Sequence, residues 1–259
     1  PTMPLHIPRG AIMADIAAYT LTDDDRQRLL DPAIGGIILF RRNYQNPSQL
    51  AELCRQIKAL RQPELIIAVD HEGGRVQRFI HGFTRLPAMR TLGELWDAQG
   101  RETAEAAAEQ IGWVLATELV ACGIDLSFTP VLDLDWGQCA VIGNRSLHRQ
   151  PETVTALALA LQRGLNRGGM KTCGKHFPGH GDTALDSHGK LPSIAISKET
   201  FYNRELVPFQ YLIEAEVPAI MTGHLHFPAV SEHGEPASFS QYLLQTVLRG
   251  QLGFKGLVI

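Results

Sequence analysis

Short apolar, β-branched runs alternate along the chain with longer segments whose apolar positions recur at helical spacing, and no Pro/Gly/Ser-rich linker interrupts the alternation. The strand-length runs cover residues 11–16, 36–40, 65–69, 126–132, 170–175, 219–222 and 257–259. Several are apolar throughout, as strands covered on both faces should be. Between them lie helix candidates with recognisable starts. Thr22-Asp23-Asp24-Asp25 opens one with acids in its first turn, where they complement the macrodipole. Pro47-Ser48 opens a second that carries Leu50, Leu53, Ile57 and Leu60 on one face, and Pro151-Glu152 opens a third that stops at Gly168-Gly169. Longer helices are predicted over 101–122, 198–214 and 241–252.

Sequential β-then-α units cross over with right-handed topology and build a parallel sheet, which leaves an α/β doubly wound sheet or a (β/α)8 TIM-type barrel. Seven strands in a row, with no nucleotide-binding Gly-rich turn after the first, favour the barrel and a single domain over residues 1–259. Such a barrel has eight strands. The chain is therefore expected to be truncated near the end of strand seven, with its C-terminal part following Ile259.

Composition narrows the function classes. With 259 residues, 44% hydrophobic and 20% charged, the chain can bury a large core, which excludes disorder and small disulfide scaffolds. A net charge of -3 provides no global positive field for a nucleic acid or an anionic membrane. Cys54, Cys122, Cys139 and Cys173 form no C-x-x-C pair, no run is long enough to span a bilayer, and residues 1–10 lack the features of a signal peptide. The cytoplasm is the expected compartment, with neither nucleic acid nor membrane as partner.

In parallel barrels the chemistry sits at the carboxyl ends of the strands, and polar residues follow each run in turn. They are Asp15, then Arg41-Arg42-Asn43, then Asp70-His71-Glu72-Gly73-Gly74-Arg75, then Asp133 and Asp135, then Lys175-His176, then His224-Leu225-His226. The densest segment, residues 175–188, holds three histidines, with Asp186 two positions from His188. At that spacing a turn can set the carboxylate on one imidazole nitrogen while the other faces a substrate, which suits a general acid and then a general base. The plain alternative is a loop held by its own hydrogen bonds, with Asp182 and Asp186 as turn residues. A metal site could draw on His176, His180, Asp182, His188, His224 and His226, but no H-E-x-x-H is present and no spacing singles out a geometry. No metal and no cofactor are expected.

In the run from Asp70 to Arg78, the strand-end acid, the glycine pair and the arginines suit a hydroxyl-rich ligand: the carboxylate accepts from hydroxyls and the guanidinium donates in a fork. His71 and Glu72 could equally make structural bonds. Arg145, on the loop after the fourth strand, reads as well as a partner of a surface acid as it does a ligand-binding residue.

At these residues the sequence resembles glycoside hydrolase family 3, in particular its bacterial β-N-acetylhexosaminidases, which remove non-reducing N-acetylglucosamine during peptidoglycan recycling. The resemblance is carried by D-H-E-G-G-R-V-Q-R at 70–78, T-P-V-L-D at 129–133, K-H-F-P-G-H-G-D-T-A-L-D-S-H at 175–188 and G-F-K-G at 253–256, in the family's order and spacing. It implies that Asp70, Arg78, Arg145, Lys175 and His176 hold the sugar, that His188 is the acid/base and that Asp186 orients it. It also implies a retaining mechanism on anhydro-muropeptides, with a nucleophilic aspartate expected just beyond Ile259, so that the chain as given lacks it. Three rivals stay open: phosphorolysis by a β-N-acetylglucosaminide phosphorylase, a non-catalytic sugar-binding fragment, and a metal-dependent hydrolase.

Overall fold

The computed structural model describes residues 3–184, 190–231 and 233–259. Seven parallel strands among them follow the predicted order: β1 Ile12–Ala14, β2 Ile34–Leu39, β3 Ile66–Val69, β4 Leu126–Ser127, β5 Cys173–Phe177, β6 Ala219–Thr222 and β7 Leu257–Val258. β1 to β4 form one parallel sheet in chain order and β5 to β7 a second. Parallel bridges Leu126–Lys171 and Val131–Lys175 join the two. The first two strands begin and end a residue or two away from the predicted runs, and the fourth is much shorter. The partner strand ends at Val69, Thr129 N turns back onto Ser127 O at 2.9 Å, and Pro130 has no N–H to donate, so the regular ladder does not continue past Ser127. Residues 129–132 still follow β5 through Cys173 N to Thr129 O at 3.0 Å, Lys175 N to Pro130 O at 3.2 Å and Leu132 N to Lys175 O at 2.6 Å.

The helices form where their caps predict. Thr22 and Asp25 make a reciprocal capping box at the start of α1 (Asp23–Arg28), and Asn46 caps α2 (Pro47–Lys58) by accepting from Gln49 N at 2.9 Å. α2 buries Leu50, Leu53, Cys54 and Ile57 against the sheet, and truncating Ile57 to Ala there would cost about 2–5 kcal/mol. α3 (Arg90–Gln99) lacks a side-chain cap and was not predicted. It leads through Gly100 into α4 (Arg101–Ala121), which packs on α5 (Pro151–Arg167). The segment predicted as one helix over 198–214 contains a π turn, Phe201–Glu205, before α6 (Val207–Glu214), where Pro208 removes a backbone donor. The last, Tyr242–Gln251, is also π-wound.

Two apolar layers lie between sheet and helices, and a third lies on the strands' opposite face. There Met13, Ile38, Ala68, Leu126, Cys173, Ala219 and Ile259 meet in one cluster. The sheet is therefore curved around its own inward side chains, and its carboxyl ends converge on one opening.

Candidate active site

The opening holds a cavity of about 260 Å³ whose wall includes Asp70, Arg78, Arg145, Lys175, His176 and His224. The structure thus brings all five predicted sugar-binding residues to one place. Asp186 and His188, the predicted acid/base pair, lie outside the described residues.

Each wall residue is placed by a local device. After β3 the chain forms an antiparallel hairpin, His71–Gly73 against Val76–Gln77, that returns Arg78 to Asp70. The turn needs glycine. Gly73 and Gly74 have φ of 111° and 56°, and a Cβ on Gly74 would lie 2.9 Å from Ala88 Cβ. Gln77 fastens the hairpin by donating to Phe79 O and Thr84 O, both at 3.0 Å, and accepting from Leu86 N at 3.1 Å. Arg75 donates to the carbonyls of Ala140, Val141 and Ile142, pinning the loop that carries Arg145.

The charges then interlock. Lys175 Nζ lies 2.6 Å from Glu72 Oε1 and 3.3 Å from Asp70 Oδ1, and Arg78 Nη2 lies 3.4 Å from Asp70 Oδ2. Arg145 forks onto Glu72 at 2.8 and 3.0 Å, so its partner is a buried acid, and the surface acid considered from sequence is not involved. Burial alone would raise the Glu72 carboxyl, but Lys175 and Arg145 outweigh it and hold it down to about 2. Glu72 is a structural anion that fixes two cations. Asp70, with only long contacts and a partly open side chain, retains lone pairs for a ligand.

A second acid lies beneath the wall. Asp133 is wholly buried; its Oδ1 accepts from His176 N at 3.1 Å and His180 N at 2.8 Å, and its Oδ2 lies 2.6 Å from His176 Nδ1. Burial opposes its ionisation, yet the contacts with His176 and His180 hold it below its ordinary value. Burial pushes His176 down as well, against the pull of Asp133. Sequence reasoning saw Asp133 only as a strand-end acid and left Glu72 unassigned; the signal for both was membership of the quoted motifs.

The loop after β5 is tied at its start. Arg204 donates to Asp182 at 2.8 Å and to Glu205 at 2.5 Å, and its guanidinium stacks 4.2 Å over Trp136. Gly181 is required there, because a Cβ would sit 1.7 Å from Leu134 O. The residues weighed as metal ligands face other partners: His176 faces Asp133, Asp182 faces Arg204, and His224 and His226 meet Ser238 and Ser193 at 2.8 and 3.2 Å. Among the described residues no three His, Cys, Asp or Glu side chains group as a metal site. The strand-end residues Asp15 and Arg42 pair with each other, outside the cavity wall.

Residues 9–259 match the glycosyl hydrolase family 3 N terminal domain. The chain is 65% identical to a β-hexosaminidase of Neisseria gonorrhoeae over 253 residues, 98% of this chain and 70% of that protein. It superposes on the crystal structure of NagZ from Neisseria gonorrhoeae in complex with N-trifluoroacetyl-D-glucosamine with a TM-score of 0.96 at 62% identity, covering 98% of this chain and 74% of that one. It is also similar to a glycoside hydrolase family 3 β-N-acetylglucosaminidase from a Paenibacillus strain, at 36% identity and a TM-score of 0.89, over 95% of this chain and 46% of that one.

Proposed function

The chain belongs to glycosyl hydrolase family 3, and from that premise we propose that it is a β-N-acetylhexosaminidase removing non-reducing, β-linked N-acetylglucosamine from peptidoglycan fragments by exo-hydrolysis with retention. The observation that carries this reading is the cavity in which Asp70 stands between Arg78 and Lys175 with His176 beside it. An acceptor between fork-shaped and point donors suits vicinal hydroxyls, and a cavity of about 260 Å³ suits one sugar ring better than a chain of them. The relative solved with an N-acylated glucosamine supports the same substrate class.

In this reading Asp70, Arg78, Lys175 and His176 hold the sugar, while Arg145 acts with Glu72 to set the position of Lys175. His188, oriented by Asp186, protonates the departing glycosidic oxygen as a carboxylate attacks the anomeric carbon. Water, giving its proton to the same histidine, then hydrolyses the glycosyl-enzyme and restores the β configuration. None of the described acids is given the nucleophile's role, because Glu72 and Asp133 are buried in ion pairs or backbone contacts and Asp70 is given to binding. The curved arc of seven parallel strands and its shared inner cluster support a TIM-type barrel forming one domain. No described helix is long and apolar enough to cross a membrane. The cytoplasm, where fragments of a recycled wall are processed, is the proposed compartment.

The test is release of 4-nitrophenol from its N-acetyl-β-glucosaminide by the full-length protein. Turnover that falls by about 10²–10⁴-fold in His188→Ala supports the reading. Absent turnover, or turnover indifferent to that substitution, overturns it.

A further inference from the structure

The cavity wall is rich in donors. Arg78, Arg145 and Lys175 can only donate, and Asp70 is the acid that faces them from the same wall. A sugar hydroxyl both donates and accepts, so a second acceptor in the wall would decide which hydroxyls are recognised. His176 is the candidate. Its side chain is 16% exposed in the cavity, and its Nε2 has no partner among the described residues.

We infer that Asp133 is a positioning residue that fixes His176 as its Nδ1–H tautomer, leaving Nε2 as an acceptor for a hydroxyl of the bound sugar. The hydroxyl contact rests on the proposed function; the tautomer does not. Asp133 is absent from the cavity wall, so it acts through His176. Both of its oxygens are accepting: Oδ1 takes two backbone N–H groups and Oδ2 lies 2.6 Å from Nδ1. An ionised carboxylate has no proton to give, so Nδ1 must carry the hydrogen. Burial disfavours a charged ring, and Lys175 and Arg145 close by oppose a further positive charge, so the ring is neutral and Nε2 is bare. Burial and the neighbouring cations thus keep this histidine from becoming one more donor.

Asp133→Asn gives a sharp reversal. The amide oxygen stays with the backbone N–H groups of His176 and His180, and the NH₂ turns to Nδ1. A donor at that place strips Nδ1 of its hydrogen and moves it to Nε2. In full-length protein labelled with ¹⁵N-histidine, with the His176 signals identified by their loss in His176→Gln, the parent shows a protonated Nδ1 and a bare Nε2. Saturating N-acetylglucosamine moves the Nε2 resonance, and Asp133→Asn exchanges the two nitrogens. In competition experiments at least one monodeoxyfluoro N-acetylglucosamine, which cannot donate at the altered position, binds the parent about tenfold more weakly than the sugar itself. That ratio falls to about twofold or less in Asp133→Asn. A hydrogen on Nε2 of the parent overturns the inference, as do His176 signals that saturating sugar leaves unmoved. The parent spectrum decides the tautomer even where the variant does not fold. Failure of the proposed function shows separately, as absent nitrophenyl glycoside hydrolysis.

Discussion

At the carboxyl ends of the strands Lys175 is 2% exposed and reaches Glu72 at 2.6 Å, whereas at the amino ends Lys58 is 23% exposed and reaches Asp125 at 2.8 Å. Each lysine lies beside a cavity, and the one at the amino ends is the larger, about 390 Å³ against about 260 Å³. Its walls, however, are largely Leu65, Ile66, Ile124, Leu126 and Ala219, with its charges at a wet rim. The smaller cavity has desolvated charges that cannot relax into water. Similar bond lengths therefore conceal unequal energies, and it is dehydration that separates a site from a crevice.

The sharpest way to break this comparison is to remove Glu72. In Glu72→Gln the buried Lys175 and Arg145 lose their shared anion, and about 3–5 kcal/mol of stability goes with it. Calorimetry should find a melting temperature lower by about 6–20 °C. A loss below about 1 kcal/mol would show that the cations reach water after all. Pairing the substitution with Lys175→Met should recover part of the loss.

Asp70→Asn separates binding from structure within the same cluster. Asp70 is 20% exposed and its contacts are 3.3 and 3.4 Å long, so the folded state depends on it little. Nitrophenyl glycoside turnover is expected to fall about 10- to 100-fold through loss of a charge-assisted bond, while stability changes by less than about 1 kcal/mol. The reverse pattern would exchange the roles given to Asp70 and Glu72.

Acid should weaken the buried end. Glu72 is held at about 2 against an ordinary 4.5, so its folded-state value lies below its unfolded one. Its contribution is complete above pH 4.5 and is lost as the pH falls from there towards 2. Urea midpoints measured at pH 6, 4 and 3 should fall across that window, and fall less in Lys175→Met. A midpoint independent of pH would contradict the depressed carboxyl.

How much of this could be read from the chain follows from what periodicity can encode. Asp70, Lys175 and His176 were legible because an apolar run stops at or beside each of them, and a strand end in a parallel sheet is a place. Arg145 was half legible, since its loop was evident and its partner was not. Glu72 lies three residues past a strand end, and nothing local distinguishes a wholly buried acid from a solvated one. Only the hairpin turn at Gly73-Gly74, which folds that acid inward, makes the difference. The same holds for Asp133, whose partners lie 43 and 47 residues away. Among the elements, α3 escaped notice because Met89 precedes it with no capping side chain, and the π turn at Phe201–Glu205 was invisible to a helical period that runs on through it.

The smallest expected effect sharpens the comparison from the other side. Lys58→Met removes the cation of the exposed pair, and its long stem is replaced by one of similar shape, so packing against the cavity rim is kept. Asp125 then still accepts from Ile67 N at 2.9 Å and remains open to water, so no buried charge is stranded. The loss should be about 0.5 kcal/mol and should shrink further in 1 M salt, where the Debye length is about 3 Å. Asp125→Ala should cost more than Lys58→Met, because it also strips a backbone donor of the third strand of its partner. Denaturation of both variants at low and high salt checks this: a loss in Lys58→Met as large as in Glu72→Gln, or one insensitive to salt, would mean that the amino end is as dry as the site.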